Sequence, residues 1–137
     1  MCAMVLEQVG GPLVERELPD PEPAPGGIRA RVRACAVCRT DLHVYAGELP
    51  APKLPLVLGH QIVGETHDGR RAPGRRGGQA FARQLGVAWA GGSDESPPLA
   101  ARVPVQTHVE ELPLARANEA LERVRAGQVR GSLVLTT

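Results

Sequence analysis

The chain has 137 residues and a formal net charge of +1, and 42% of its residues are hydrophobic. That length allows one domain with a modest core, and the near-zero net charge argues against a general binder of nucleic acid or of a membrane surface. Its three cysteines are an odd number and do not form a disulfide framework, which favours reduced thiols or metal ligands.

The sequence shows no targeting or membrane segment. Its N-terminus lacks a basic stretch followed by an apolar core, and no apolar run approaches bilayer length. We therefore expect a cytoplasmic protein without a membrane or nucleic-acid partner.

The N-terminal part of the chain predicts short strands. Residues 3–7 and 13–18 are β-prone runs separated by Gly10-Gly11-Pro12, which predicts a hairpin. Residues 19–27 are rich in proline and glycine, which predicts an irregular connection between strands. Hydrophobic residues alternate with arginines in residues 28–34, which predicts a half-buried strand with an arginine-lined outer face.

A short helix is predicted over residues 38–45. Thr40 or Asp41 is positioned to cap it, and Gly47 is positioned to end it. Prolines between residues 49 and 55 then predict a loop.

The next segments alternate between apolar and polar composition. Residues 56–65 predict a buried strand, in which Gly59 marks a bend or a close backbone approach. Residues 66–79 are rich in arginine and glycine and cannot bury enough apolar surface to fold alone, which predicts a linker. Residues 80–90 predict a short helix followed by a strand.

The C-terminal part predicts a strand, a helix and a last strand. Residues 103–112 have β character, and Pro113 is expected to start the helix. Gly127 is expected to end it, and residues 133–135 predict a buried strand. One face of the helix is apolar and carries Leu114, Ala117, Leu121 and Val124.

Residues with reactive side chains are concentrated between Arg33 and Glu65. The C-x-T-D-x-H segment Cys38–His43 holds a thiol, a hydroxyl, a carboxylate and an imidazole, and Gly59-His60-Gln61 adds a second imidazole. These two motifs are too far apart in sequence for a local metal-binding loop. They can meet only if the fold brings the helix and the strand together.

In type, order and spacing, the two motifs resemble the catalytic domain of the zinc-dependent alcohol dehydrogenases, in the medium-chain dehydrogenase/reductase superfamily. The resemblance runs from about residue 1 to residue 65 and resumes over residues 114–121 and 127–131. It implies a mainly β (α+β) fold, namely a GroES-like, partly open β-barrel with short helices and a C-terminal helix and strand.

The resemblance also implies a division of the chain and a missing part. Residues 1–67 and 99–137 match the two parts of the catalytic domain, residues 68–78 form an Arg/Gly linker, and residues 79–98 are similar to a short piece of the family's Rossmann domain. No G-x-G-x-x-G turn is present. The chain therefore resembles a dehydrogenase lacking most of its coenzyme domain, and we expect it not to bind NAD(P).

By the same resemblance, Cys38 and His60 are zinc ligands. The family's ligand set is two cysteines and one histidine with an open position, and its second cysteine has no counterpart here. Gln61, where the family has Glu, and Cys35 are further candidate ligands. Two ligands alone predict weak zinc binding. The alternative is that Cys35 is a small buried hydrophobe and Cys38 a free thiol.

Four further positions match family roles. Thr40 and His43 match a proton relay that leads from a zinc-bound alkoxide to the surface, and Asp41 matches a carboxylate that orients His60. Arg39 matches a basic residue near the coenzyme pyrophosphate. The alternatives are a helix cap for Thr40, a solvated surface imidazole for His43, stabilisation of the helix N-terminus for Asp41 and an exposed side chain for Arg39.

Two functions therefore remain open from the sequence. The first is oxidoreduction of a small alcohol or aldehyde with zinc and NAD(P), by a chain that does not turn over alone, so that its status as an enzyme is open. The second is a non-catalytic GroES-like module that acts through partner binding, or through a homo-oligomer formed by the surface that the missing domain leaves exposed.

Overall fold

A computed structural model of the chain describes residues 1–22, 29–49, 53–66 and 108–137. The predicted linker over residues 68–78 and the predicted Rossmann-like piece over residues 79–98 lie outside these described residues. Within the described ranges, none of the helices is long and apolar enough to cross a membrane.

Short strands dominate the described residues. In chain order the strands are β1 (Cys2–Leu6), β2 (Leu13–Glu17), β3 (Ala30–Val37), β4 (Leu56–Val57), β5 (Gln61–Thr66), β6 (Val109–Pro113) and β7 (Ser132–Thr136). Helix α1 (Arg39–Ala46) follows β3, and a 3-10 turn (Leu114–Arg116) and helix α2 (Ala117–Arg125) connect β6 to β7.

The strands pair into two sheets. One sheet has the order β2-β1-β4, and the other has the order β5-β3-β7-β6. All neighbours are antiparallel except β6 and β7, which are parallel and are connected through α2. The predicted mainly β fold with short helices is confirmed, and the strands of the described ranges form two sheets and not one closed barrel.

Strand β3 lies between two neighbours and extends further than its sequence pattern indicates. Arg31 and Arg33 are exposed as the alternation predicts, and Arg33 forms a 3.0 Å ion pair with Glu65. The predicted end at residue 34 is wrong, because residues 35–37 pair with β7. The alternation of hydrophobic and polar residues within a short segment cannot indicate that the segment pairs with a strand some 100 residues later in the chain.

The single buried strand predicted over residues 56–65 is also wrong. The chain forms β4, breaks at residues 58–60 and then forms β5. Gly59 has a φ of +111°, a backbone conformation that interrupts a strand. Strand β5 is an edge strand of the described sheet, with β3 as its one neighbour. Val63 on this strand is 59% exposed, so the apolar composition of the segment was not a sign of burial.

The core lies between the two sheets and helix α2. It draws on both ends of the chain, since its buried residues come from β1, β2, β6, α2 and β7. They are Met4, Leu6, Leu13, Leu112, Ala117, Ala120, Leu121, Leu133 and Leu135. Leu6 and Leu133 are fully buried.

The last helix begins later than predicted. Pro113 is the final residue of β6, and a 3-10 turn precedes α2, which starts at Ala117. Of the predicted apolar face, Ala117 and Leu121 are buried, whereas Leu114 and Val124 are only partly covered. Leu114 lies in the 3-10 turn and not in the α-helix, and it packs against the edge of the core.

Asn118 on α2 joins the C-terminal helix to the N-terminal hairpin. Its Oδ1 accepts a 2.8 Å hydrogen bond from the Leu13 backbone N–H, and its Nδ2 donates a 2.9 Å bond to the Leu13 carbonyl. The amide therefore satisfies both backbone groups of a residue 105 positions earlier. This contact fixes how α2 sits against β2.

We expect Asn118→Ala to lower the free energy of unfolding by about 1–3 kcal/mol, because it leaves both partly buried backbone groups of Leu13 without a partner. The midpoint of urea unfolding measures this loss. Gln128→Ala, at an exposed polar position outside the helix, is the control and should leave the midpoint nearly unchanged. Equal midpoints for the two variants would show that the hydrogen bonds of the Asn118 amide contribute nothing to stability.

Candidate functional site

The N-terminus of α1 forms one wall of the candidate site. Cys38 is the N-cap residue, with φ −135°, and its backbone N–H donates a 2.8 Å hydrogen bond to Asp41 Oδ2. The prediction that Thr40 or Asp41 is the N-cap is wrong, because the helix begins at Arg39, two residues earlier than a cap at Thr40 allows. Asp41 instead completes a capping box from the third helical position.

Pairing of β3 with β5 brings the second motif to this wall. Ala36 faces Gln61 in the antiparallel register, so the residue before Gln61 lies beside the residues after Ala36. As a result the Nε2 atom of His60 lies 3.4 Å from the Sγ atom of Cys38, across 22 positions in sequence. The fold therefore supplies the contact between thiol and imidazole that the sequence left conditional.

The other ring nitrogen of His60 faces Asp41. Its Nδ1 lies 3.4 Å from Asp41 Oδ1, is buried, and has no hydrogen-bond partner of good geometry among the described residues. The carboxylate itself is 97% buried, with 3% of its surface exposed. The imidazole thus has the thiol near one of its nitrogens and the carboxylate near the other.

The donor set fits a divalent metal such as zinc. One potential ligand atom each from Cys38, Asp41 and His60 lies within 4.8 Å of the others. At usual zinc bond lengths and a tetrahedral angle, a sulfur and a nitrogen ligand lie about 3.5 Å apart, which agrees with the 3.4 Å separation of Sγ and Nε2. Metal-bound histidines commonly direct their second nitrogen to a carboxylate.

Asp41 is better placed to orient the ring than to bind a metal itself. Its Oδ2 is used by the backbone N–H of Cys38, and its Oδ1 faces His60 Nδ1. Both oxygens therefore have local neighbours. The structure brings together Cys38, Asp41 and His60 of the residues predicted from the sequence.

Cys35 and Gln61 are the two further candidate ligands. Cys35, which is also described, does not belong to it, and its thiol faces the carbonyl of Ala36 at 3.7 Å. Burial, and then the nearby Asp41 carboxylate, raise the pKa of the Cys35 thiol from 9.0 to about 11, which disfavours the thiolate that metals bind. Gln61 is exposed at the start of β5.

The remaining predicted residues lie along α1. Thr40 is half-buried in the first turn, and His43 is exposed one turn later on the same side of the helix. Arg39 is the first helical residue and is exposed. The roles of all three in chemistry stay predictions.

Glu48 is not among the residues predicted from the sequence, and the structure places it against the imidazole of His43. The Nδ1 atom of His43 contacts Oε2 of Glu48. A signal was available, because a glycine expected to end a helix also predicts that the chain folds back over the last turn. The residue after Gly47 therefore had to lie near His43.

Part of the chain matches a known protein family. Residues 24–91 match the family model described as "Alcohol dehydrogenase GroES-like domain". This part of the chain belongs to the alcohol dehydrogenase GroES-like family. The resemblance inferred from the two motifs is thereby confirmed.

Several alcohol dehydrogenases are similar to part of this chain. It is 42% identical over 81 residues to "Probable alcohol dehydrogenase AdhA" of Mycobacterium tuberculosis, which covers 58% of this chain and 23% of the relative. It is 49% identical over 63 residues to "Alcohol dehydrogenase 1" of Emericella nidulans, which covers 45% of this chain and 18% of the relative. The match thus spans about a fifth of each relative's length.

A solved structure resembles the GroES-like chain in fold. The crystal structure of AibC superposes with a TM-score of 0.68, at 14% identity, over 99% of this chain and 95% of that one. At this identity the likeness concerns the fold alone.

The backbone that leads into His60 has little room for a larger residue. A Cβ atom at Gly59 would lie 2.5 Å from the Cys35 sulfur, in addition to the strain of a φ of +111°. We expect Gly59→Ala to cost about 1–3 kcal/mol in backbone strain and about 1–3 kcal/mol more in overpacking. Urea unfolding measures the sum.

Gly127→Ala is the matched control, because Gly127 also has a positive φ, of +66°, but a Cβ there meets nothing within 4 Å. Its expected cost is about 1–2 kcal/mol. Adding Cys35→Ala to Gly59→Ala should recover the overpacking part. Equal losses for the two glycine variants would contradict a steric conflict at the site.

Proposed function

We propose that this chain provides the metal-binding and proton-transferring side of a site that interconverts small alcohols and aldehydes. The observation that supports this most directly is that His60 Nε2 lies 3.4 Å from Cys38 Sγ, with the Asp41 carboxylate close to the other ring nitrogen. Family membership supports the reaction class, and the printed names of the relatives support the substrate class.

Cys38 and His60 are the residues that would hold zinc. When bound, zinc supplies a Lewis acid that makes an alcohol hydroxyl more acidic. The chain's own contribution is orientation, because the buried Asp41 carboxylate directs the ring nitrogen Nε2 towards the thiol and favours the Nδ1–H form. With only two protein ligands, we expect binding weaker than at a three-ligand site.

Proton transfer is assigned to Thr40 and His43. The hydroxyl of Thr40 is half-buried one turn before His43, whose imidazole is exposed. A proton released by the substrate can therefore pass from the interior to the hydroxyl and then to a ring in contact with water. Their i, i+3 spacing on α1 places both side chains on the same side of the helix.

The coenzyme is expected to need protein structure beyond what this sequence encodes. No G-x-G-x-x-G turn occurs in the chain, and Arg39 alone does not form a pyrophosphate site. A cytoplasmic location is part of the same proposal, because a reducing compartment keeps the Cys38 thiol free for metal binding.

Cobalt(II) binding tests the proposed ligands, since a cysteine thiolate on cobalt gives a charge-transfer absorption that other ligands do not give. We expect one cobalt per chain in the wild type and loss of the absorption in Cys38→Ser. Asp41→Asn should keep the absorption but weaken binding about 10- to 100-fold, as expected for a residue that only orients the ligand.

The other two cysteines offer matched controls for this experiment. Cys35→Ser and Cys2→Ser should bind cobalt like the wild type, because Cys35 lies outside the ligand cluster and Cys2 is exposed on β1. Retention of the absorption in Cys38→Ser together with its loss in Cys35→Ser would contradict the assignment. Absence of cobalt binding in the wild type would contradict the proposed function as a whole.

Turnover by the purified chain tests the expected absence of a coenzyme site. With ethanol and either NAD⁺ or NADP⁺, the zinc-loaded chain should form no NAD(P)H, because proximity of hydride donor and acceptor supplies a large part of the rate. Formation of NAD(P)H that is abolished by Cys38→Ser would show that the chain is a complete enzyme. That result would leave the metal assignment intact and overturn the coenzyme part of the proposal.

A further inference from the structure

The C-terminal end of α1 is held by a defined capping motif. The Gly47 N–H donates to the carbonyl of Val44 at 3.1 Å, and the Glu48 N–H donates to the carbonyl of His43 at 2.9 Å. Together with the φ of +73° at Gly47, these two bonds form a Schellman motif. The motif folds the chain back, so that residue 48 lies over residue 43.

This helix end is also fixed from outside. The Gly10 N–H donates a 2.7 Å bond to the carbonyl of Tyr45, whose hydroxyl donates a 3.0 Å bond back to the Gly10 carbonyl. A Cβ at Gly47 would lie 2.6 Å from Val9 Cγ1, so the β1–β2 turn packs directly on the capping glycine. The backbones of His43 and Glu48 therefore have little freedom relative to each other.

The two side chains brought together by the motif are an imidazole and a carboxylate. This position of a Schellman motif usually carries a hydrophobic contact. Here Nδ1 of His43 contacts Oε2 of Glu48. An ionised carboxylate can only accept a hydrogen bond, so the Nδ1 atom of a neutral ring must carry the proton. The Nε2 atom is then the nitrogen that can accept one.

We propose that Glu48 is a positioning residue for proton transfer, because it holds the neutral His43 imidazole in the Nδ1–H form and leaves Nε2 free to accept a proton. This inference rests on the proposed function for its meaning, since a defined acceptor nitrogen matters only if His43 moves protons. The contact itself is a property of the helix end and requires neither metal nor coenzyme.

The tautomer of His43 is measurable by nitrogen-15 NMR, in which long-range couplings to the ring protons show which nitrogen carries hydrogen. Spectra are recorded on the metal-free full chain at alkaline pH, where free imidazoles are neutral. The chain has four histidines, and His43→Asn identifies the signals of His43 by their loss. We expect the wild type to show the proton on Nδ1.

Two variants at Glu48 separate the hydrogen bond from the charge. Glu48→Ala removes the acceptor, and the His43 proton should move to Nε2, the form that free imidazole side chains favour. Glu48→Gln keeps an oxygen acceptor without the charge and should retain the Nδ1–H form. The matched control is Glu122→Ala, which removes an equally exposed carboxylate (61% against 60%) paired with Arg125 on the other helix.

A wild-type ring with its proton on Nε2, or an unchanged Nδ1–H ring in Glu48→Ala, overturns the proposal. Loss of the Nδ1–H form in Glu122→Ala as well would show a general change in the fold and also overturn it. Since these spectra require no metal, their failure leaves the cobalt result untouched. Conversely, a chain that binds no cobalt but shifts its tautomer in Glu48→Ala refutes the proposed function while the positioning contact stands.

Discussion

Strand β3 and its register determine both the site and the core. On one side it pairs with β5, with Cys35 opposite Ile62, and this register sets His60 beside Cys38. On the other side it pairs with β7, with Cys35 opposite Leu135, and this register turns the leucines of β7 towards α2 and the first sheet. A slip of one residue would send the side chains of either neighbour to the opposite face, so one strand links the geometry of the site to the stability of the fold.

The capping motifs at the two ends of helix α1 also hold reactive side chains in place. At its N-terminus the capping box holds Asp41, whose second oxygen faces His60 Nδ1. At its C-terminus the Schellman motif holds Glu48, whose carboxylate contacts His43 Nδ1. The two helix ends thus bring a carboxylate near the Nδ1 atom of each of two imidazoles, one pair largely buried and one exposed. The half-buried His60 is suited to act as a rigidly held ligand, and the exposed His43 is suited to exchange protons with water.

Agreement between sequence and structure was closest where a pattern was local. The alternation around Arg31, the helix over C-x-T-D-x-H and the stop at Gly47 were predicted because strand period, helix period and a left-handed glycine are properties of a few adjacent residues. The errors came where distant residues compete. Residues 35–37 extend β3 because β7 pairs with them, and the strand over residues 56–65 is broken at Gly59, where the backbone passes close to the Cys35 thiol.

The sequence by itself determined the family, the mainly β class and the set of reactive residues, since these depend on residue types and their spacing. The tertiary structure decided which of those residues meet. It brought Cys38 and Asp41 to the ring of His60, it left Cys35 outside the cluster, and it brought Glu48 to His43. The physical reason is that hydrogen-bonded registers and helix caps fix distances of a few ångströms between residues that the spacing of motifs along the chain leaves undetermined.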